Sequence, residues 1–478
     1  LVLLSFNMAS KQSWDNLPDI ALIEVYSYLP DNDRLSMSLV CKNWRRLFET
    51  PVLWRCRKII FKGLVADKIA RHEITFLRVF GRQLHKLSIG FTGLSFRTCR
   101  DLAMAADTYL SHLMKRTDVH LDSISFEELN LERFWPFVLS RNKLITALCR
   151  LLRKQRTLKT INMISTRLTL IEGCRVLEAL GRYSAGTTLE IIFLENVFRT
   201  SVIPYENIRY VNALNRFQAI RFLHINYKYL REDILRNLAK TLGSKLEQLS
   251  IIIEGRLVGE VISSKAWKAL HGRCPNLRIG IYVYTTALEN DPLPALVAGM
   301  NIQACYIFSW SDLSSRKEEL GKILRHVGST YASSLVSVFM FPVFPSTSSS
   351  SAFERLTLHL EKQTSIDDDL LYLLKRCSHL SELSLYCRLN VATVQSICSL
   401  QTDRRLELQS LSLRIYGLEE EEFLRLMEAR EALISAIRAR RGHVSLDHDD
   451  STVIDRINES GSQDGNQESS NIQEPLLI

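Results

Sequence analysis

A chain of 478 residues, 46% hydrophobic and 24% charged, has the composition of a folded protein, which excludes wholesale disorder. Single cores stop growing near about 250–300 residues, so several domains or an elongated repeat array is expected. The formal net charge of +9 is uneven: from Asp447 onward eight acidic residues stand against one basic residue, Arg456, and the body that precedes them is correspondingly basic.

The ten cysteines are scattered with no C-x-x-C pair and no secretory signal before them, which suits a reducing cytoplasm and/or nucleus. No uninterrupted apolar run reaches the roughly 20 residues a membrane span needs, so no membrane partner is expected. The sequence starts with Leu1, whereas Met8 opens MASKQSWDNLP, a more natural start. Residues 1–13 are expected to be disordered.

From Trp14 to Trp54 the chain reads WDNLPDIALIEVYSYLPDNDRLSMSLVCKNWRRLFETPVLW, and its punctuation predicts three short helices. Leu22, Ile23, Val25, Tyr26 and Leu29 recur at helical spacing after Pro18, a residue favoured at the first helical position, and Pro30 closes that helix. Asp31 or Asp33 caps a second helix leading to Leu39 and Val40; a third holds Trp44, Leu47 and Phe48 and stops at Pro51. A module this small leans on something else, either a partner or the array that follows.

The pattern LP-x(10)-YLP followed by LVCKNWRRL and PVLW resembles the F-box, the adaptor-binding motif of cullin-based SCF ubiquitin ligases. The resemblance implies an F-box over 14–60 that binds a Skp-type adaptor, and through it cullin, using Leu17, Pro18, Leu22, Val25, Leu29, Val40, Trp44 and Trp54. Cys41 also falls at a characteristic apolar position. Ile20, Ala21 and Arg34 depart from the commoner Glu, larger aliphatic and Leu.

After residue 80 an L-x-x-L-x-L-like strand recurs: LHKLSI (84), LDSISF (121), LKTINM (158), LEIIFL (189), IRFLHI (220), LEQLSI (246), IQACYI (302), FERLTL (353), LSELSL (380) and LQSLSL (408), with a degenerate NLRIGIYV near 277. The first steps are 37, 37, 31, 31 and 26 residues, and segments of helical spacing such as LREDILRNLAKTLG fill the intervals. Strand then helix, repeated, predicts an α/β leucine-rich-repeat solenoid over 61–442 with a parallel concave sheet and convex helices. Cys274 and Cys377 precede repeats as in the cysteine-containing subtype of F-box leucine-rich-repeat proteins. They read as buried packing residues, and no metal site or cofactor is expected. WRCRKIIFKG and VFGRQLHKLSIGF resemble the F-box only protein 39 branch, with F-box only protein 33 more distant.

The segment SLVSVFMFPVFPSTSSSS, about 335–352, reads as an irregular insertion, either a surface loop or translated intron. After a charged helix at about 419–441, residues 443–478 are too poor in large apolar residues to fold alone and are expected to form a disordered acidic tail.

The basic stretch RNKLITALCRLLRKQRTLK is the wet face of an amphipathic helix rather than a nucleic-acid stripe, and no nucleic-acid partner is expected. No G-x-S-x-G elbow, phosphate loop, Rossmann fingerprint or H-E-x-x-H helix is present, so the chain reads as non-catalytic. The expected function is a substrate-recognition subunit that recruits a protein target for ubiquitination; the alternative is a ligase-independent interaction scaffold. Period-2 alternation places Phe193, Glu195, Phe222, His224, Tyr306 and Tyr386 on the sheet's open surface, as the target-binding residues.

Overall fold

The computed structural model describes residues 17–126, 129–134, 137–182, 185–254, 260–285, 292–310, 317–343, 366–386, 389–403, 405–406, 408–415, 425 and 443–448. The chain divides into two compact units, one comprising 1–253 and 257–281, the other 254–256 and 282–478. The architecture is the one expected from the sequence, an N-terminal helical module followed by parallel strands alternating with helices.

Three helices begin the first unit: α1 (Asp19–Tyr28), α2 (Asp31–Ser38) and α3 (Lys42–Phe48), followed by a 3-10 turn at Pro51–Trp54. Pro18 and Pro30 precede α1 and α2 and fix their starts, while the Cys41 thiol accepts from the Trp44 amide at the start of α3. The module closes on Leu22, Tyr26, Leu47, Leu53 and Trp54. Arg34 explains one departure from the usual pattern. It donates to the carbonyls of Tyr26 (2.8 Å), Ser27 (3.1 Å) and Leu53 (3.3 Å), so its guanidinium joins the end of α1 to the Pro51–Trp54 turn. A leucine could not do this.

Seven strands of the first unit pair in chain order, all parallel: β1 (Cys56–Lys62), β2 (Lys86–Thr92), β3 (Ser123–Ser125), β4 (Thr160–Asn162), β5 (Ile191–Phe193), β6 (Phe222–Asn226) and β7 (Gln248–Glu254). Between them run α4 (Ala66–Phe80), α5 (Cys99–Lys115), α6 (Val138–Lys154), α7 (Leu170–Leu180), α8 (Ala185–Thr188), α9 (Ile208–Leu214) and α10 (Glu232–Leu242), and after β7 comes α11 (Ser264–Arg273). Alternate strand residues such as Ile59, Phe61, Leu87, Ile89 and Ile124 are buried toward the helices; Phe61 meets Tyr109 of α5 with ring centres 6.4 Å apart. In α6, Leu144, Ile145, Leu148, Leu151 and Leu152 are buried while Arg150, Arg153 and Lys154 are exposed, the amphipathic helix expected there.

β8 (Arg278–Thr285) is a full strand where only a degenerate repeat was expected. The second unit continues with β9 (Ile302–Trp310), α12 (Lys317–Thr330), β10 (Ser337–Val343), α13 (Asp367–Arg376), β11 (Glu382–Tyr386), α14 (Val391–Thr402), β12 (Ser410–Ile415) and β13 (His443–His448). β9 to β13 again pair parallel and in order. Cys274 and Cys377 lie buried just after α11 and α13, their amides bonded to Leu270 and Leu373, and burial pushes the Cys377 thiol up to about 11.

Three expectations change. The stretch read as an insertion contains β10, which pairs with β9 from Ser337↔Ala304 to Val343↔Trp310: SVFMFPV is a repeat strand in which Val338 and Met340 supply the buried positions. Pro342 does not stop it. The expected disordered tail begins with β13, whose residues 443–448 pair with Ser410–Ile415. β1 straddles the expected 60/61 boundary, and its Ile59 and Phe61 already form a first repeat. The FERLTL strand and the charged helix at about 419–441 lie outside the described residues, apart from Arg425.

The helical module is tied to the first repeat by charge and by rings. Arg57 of β1 reaches Asp31 of α2 at 2.5 Å and Glu73 of α4 at 2.6 Å and 2.7 Å, and lies over the Phe76 ring. Burial works against the Arg57 charge, but its bonds to Glu73 and Asp31 prevail and hold it more firmly protonated than usual. Trp54 stacks on Phe80 of α4 at 4.1 Å and 13°.

Replacing Arg57 with Met leaves the buried Glu73 carboxylate with only the exposed His72 ring, at 3.2 Å, beside it, and we predict a loss of about 3 kcal/mol in urea unfolding. A change below about 1 kcal/mol would show the tie to be incidental. A second buried pair sets an acid limit. Glu172 closes a capping box with Thr169 at the start of α7 and meets Arg141 at 2.6 Å. Burial disfavours its charge, yet the Thr169 amide and Arg141 outweigh burial and hold it below the usual carboxylate range. Its stabilisation is complete above the ordinary glutamate pKa and disappears as pH falls through the lowered value. Glu172→Gln should therefore flatten the acid side of the stability profile of this unit, read by thermal midpoint between pH 6 and pH 3.

Candidate interaction surfaces

Of the residues expected to meet an adaptor, Leu22 and Trp54 are instead core. Leu22 packs inside the module, and Trp54 is held between Phe48 and Phe80 with its indole N–H donated to the Phe48 carbonyl at 2.7 Å. Both are too deeply enclosed to touch a partner. Leu17, Leu29 and Trp44 are half-buried, Leu17 and Trp44 packing on that core; Pro18, Val25 and Val40 are exposed. The sequence reading missed Ile20, Tyr28, Leu35 and Leu39, all exposed. Their signal lay in apolar residues falling off the buried face of α1 and α2.

On the sheet face away from the helices, the first unit brings four of the expected target residues together. Phe193 and Phe222 have ring centres 5.1 Å apart at 45°, and His224 lies 5.7 Å from Phe193. The His224 Nε2 is 2.9 Å from a carboxylate oxygen of Glu195. His224 is only 6% exposed, so it is not the open contact residue expected: the neighbouring rings enclose it and Glu195 fixes its orientation. Phe193, Phe222 and Glu195 are half-buried. Beside Phe222 opens a groove of about 480 Å³ whose lining includes Ile191, Phe222 and Gln248 together with the charged Glu190, Arg221, Glu247 and Arg278. Arg221 is held by Glu247 at 2.8 Å and Glu190 at 3.7 Å.

In the second unit Tyr306 belongs to a ladder of rings. It stacks on Tyr282 at 4.4 Å and on Phe339 at 4.7 Å, and Tyr284 stacks on Phe308 at 4.8 Å, with interplanar angles of 4–14°. Burial, then the charge of Glu382, raises the Tyr306 phenol. Only Tyr306 was expected, although aromatics two apart in YVY, YIF and FMF over three successive strands were a readable signal. The Tyr386 backbone closes β11, and its side chain lies outside the described residues.

Among the described residues no group of three or more His, Cys, Asp or Glu is placed to hold a metal ion, and no helix is long and apolar enough to cross a membrane.

Residues 14–56 match the F-box domain family. The chain is 23% identical over 311 residues to F-box/LRR-repeat protein 21 of Bos taurus, covering 62% of this chain and 67% of that protein. It is 25% identical over 252 residues to F-box/LRR-repeat protein 12 of Mus musculus, covering 52% and 65%. Against solved structures, the leucine-rich repeat-containing protein LegL7 from Legionella pneumophila aligns over 78% of this chain and 87% of its own, at 13% identity and a TM-score of 0.30. The chain thus carries an F-box domain and is homologous to F-box/LRR-repeat proteins. These matches give no support to the F-box only protein 39 branch.

The ring pair of the first unit predicts a measurable coupling. In a double-mutant cycle, Phe193→Ala and Phe222→Ala should each destabilise and together show an interaction of about 0.5–1.5 kcal/mol. Strict additivity would mean that the rings do not support each other.

Proposed function

We propose that this chain is the substrate-recognition subunit of an SCF-type ubiquitin ligase: the F-box binds a Skp-type adaptor and through it cullin, and the repeats hold a protein target. Catalysis belongs elsewhere in the assembly. The receptor acts by position, raising the effective concentration of a target beside a ubiquitin-charged enzyme.

The observation that carries this reading is the apolar surface left on the F-box module. Its own core is closed on Tyr26, Leu47 and Trp54, yet Ile20, Val25, Leu35, Leu39 and Val40 stay exposed on a piece of about 40 residues. Singly exposed apolar residues need no explanation; a cluster on so small a module marks a partner site. Adaptor contact falls to Pro18, Val25 and Val40, with Leu17, Leu29 and Trp44 at the margin, while Leu22 and Trp54 shape the surface from beneath. The target falls to the helix-free sheet face, where Phe193, Phe222 and the adjoining groove supply anchors and polar rims of the kind that dominate interface energies. Tyr306 contributes with its ladder, and Tyr386 extends the same strand positions.

Two variants separate the roles. Val25→Glu with Val40→Glu should abolish co-purification of adaptor and cullin, leaving the thermal midpoint within about 2 °C, since exposed substitutions cost little. Phe222→Glu should preserve cullin binding and weaken retention of targets identified by mass spectrometry by tenfold or so, the effect of losing about 1.4 kcal/mol. If the intact protein never captures cullin, the ligase reading fails and a ligase-independent scaffold is left.

A further inference from the structure

The repeats of the first unit expose a second apolar patch, on the edge where strands end and helices begin. Leu64 and Val65 lie between β1 and α4, Phe96 between β2 and α5, and Phe137, Val138 and Leu139 at the start of α6. Leu64 is 86%, Leu139 80% and Phe96 71% exposed.

These residues form one patch across three repeats. The turn at Gly63 packs on Gly93 and Thr98, close enough that a Cβ on Gly63 would stand 3.5 Å from Thr98 and 3.7 Å from the Gly93 carbonyl. Phe96 meets Phe137 with ring centres 5.2 Å apart, and the Cys99 thiol lies 3.7 Å from the Arg133 carbonyl. None of the six enters the F-box core, which meets α4 at its other end, through Phe76 and Phe80.

Four exposed cations flank the patch: Arg97, Arg100, Arg133 and Lys143. Among the described residues none of the four is ion-paired, and the exposed acids near the patch are Asp67, which pairs with Arg71, Asp101 and Glu132. This positive flank disfavours a second copy of the same patch and favours an anionic partner. Leu64, Phe96 and Leu139 leave most of their surface free, and none of the six lines the groove beside Phe222. A folded protein partner needs a complementary hollow for such tips, whereas the headgroup region of a bilayer admits them without one.

We propose that this edge docks reversibly on an anionic membrane surface, with Phe96, Val138 and Leu139 entering the headgroup boundary and the four cations meeting lipid phosphates and carboxylates. No membrane-spanning segment is involved. The inference is independent of the ligase reading: it uses neither the adaptor surface nor the helix-free sheet face.

The full chain should co-sediment with vesicles of phosphatidylcholine containing about 30% phosphatidylserine, and at least tenfold less with phosphatidylcholine alone, because basic residues are drawn to an anionic surface. Raising salt from 0.1 M to 0.5 M should weaken binding at least severalfold. Phe96→Glu with Leu139→Glu, and separately Arg97→Glu with Arg133→Glu, should each lower binding tenfold or more without moving the thermal midpoint or cullin capture. Since all four residues are exposed, the fold should tolerate both variants, and circular dichroism checks that it does. The proposal is overturned by absent binding to the serine-lipid vesicles, by equal binding to the neutral ones, or by folded variants that bind undiminished. If the wild type ignores vesicles while the same variants lose a purified protein partner, the patch is a protein dock and the membrane assignment is wrong.

Discussion

Within each unit the described strands depend on their parallel neighbours. A β-strand of three to nine residues cannot satisfy its own backbone N–H and C=O groups, and in the described repeats they are satisfied by parallel neighbours one repeat away. In the first unit the residues just before the strands show how order is kept. The amides of His85, Asp122, Lys159, Glu190, Arg221, Glu247 and Arg278 each donate to the carbonyl of the preceding member of a row that begins at Arg55. From Asp122 onward the side chains alternate strictly in sign; the His85 Nδ1 lies 3.3 Å from an Asp122 carboxylate oxygen, and Glu190–Arg221 and Arg221–Glu247 close as ion pairs. Each exposed pair is worth little, but a strand seated one place out of order would set like charges side by side. The row contributes to specificity more than to stability.

The F-box depends on this array for the rest of its stability. Three helices of 10, 8 and 7 residues bury too little surface to stand alone, and their core borrows Phe76 and Phe80 from α4. The Arg57 network adds direction to that apolar contact. A guanidinium that must meet both Asp31 and Glu73 permits one orientation of the helices on β1, whereas the Trp54–Phe80 stack alone would allow sliding. Such a joint fixes the direction in which the helical module presents its exposed face relative to β1.

Strands carrying the leucine pattern were legible because Leu or Ile at two-residue spacing has few other uses in a chain of this composition. Those built from other residues were not. CRKIIFK has no leading leucine, SVFMFPV mixes aromatic residues with Pro342, and HVSLDH lies in an acidic stretch, so each was assigned to something else although the same inward alternation is present in the first two. Burial within one face was the harder inference. Period-2 spacing says which side of a sheet a residue takes but not whether its neighbours cover it, and this is why His224 came out enclosed. Family resemblance marked Leu22 and Trp54 as important without separating residues that make a surface from residues that hold it up. Arg34 was invisible for a similar reason: its partners are carbonyl oxygens, which no sequence pattern displays.

The two aromatic patches differ in what they can offer a partner, because their rings meet at different angles. Neighbouring strands lie about 4.7–4.9 Å apart, close to the centre-to-centre distance of two offset-stacked rings, so flat side chains directly opposite each other have room to lie face to face. Tyr306 stands opposite Phe339 in this way, and the rings lie 4.7 Å apart at 4°. Phe193 and Phe222 are diagonal, since Phe193 is opposite His224 and Phe222 opposite Ile191, and the same spacing leaves them tilted at 45°. A stack spends its faces internally and turns outward the ring edges, which carry partial positive charge and suit carbonyl oxygens or the face of an incoming ring. A tilted pair keeps part of a face available, and a ring face attracts cations and C–H groups. One fold and one class of side chain thus give two surfaces, a stacked ladder and a tilted pair, that differ in which parts of their rings they present.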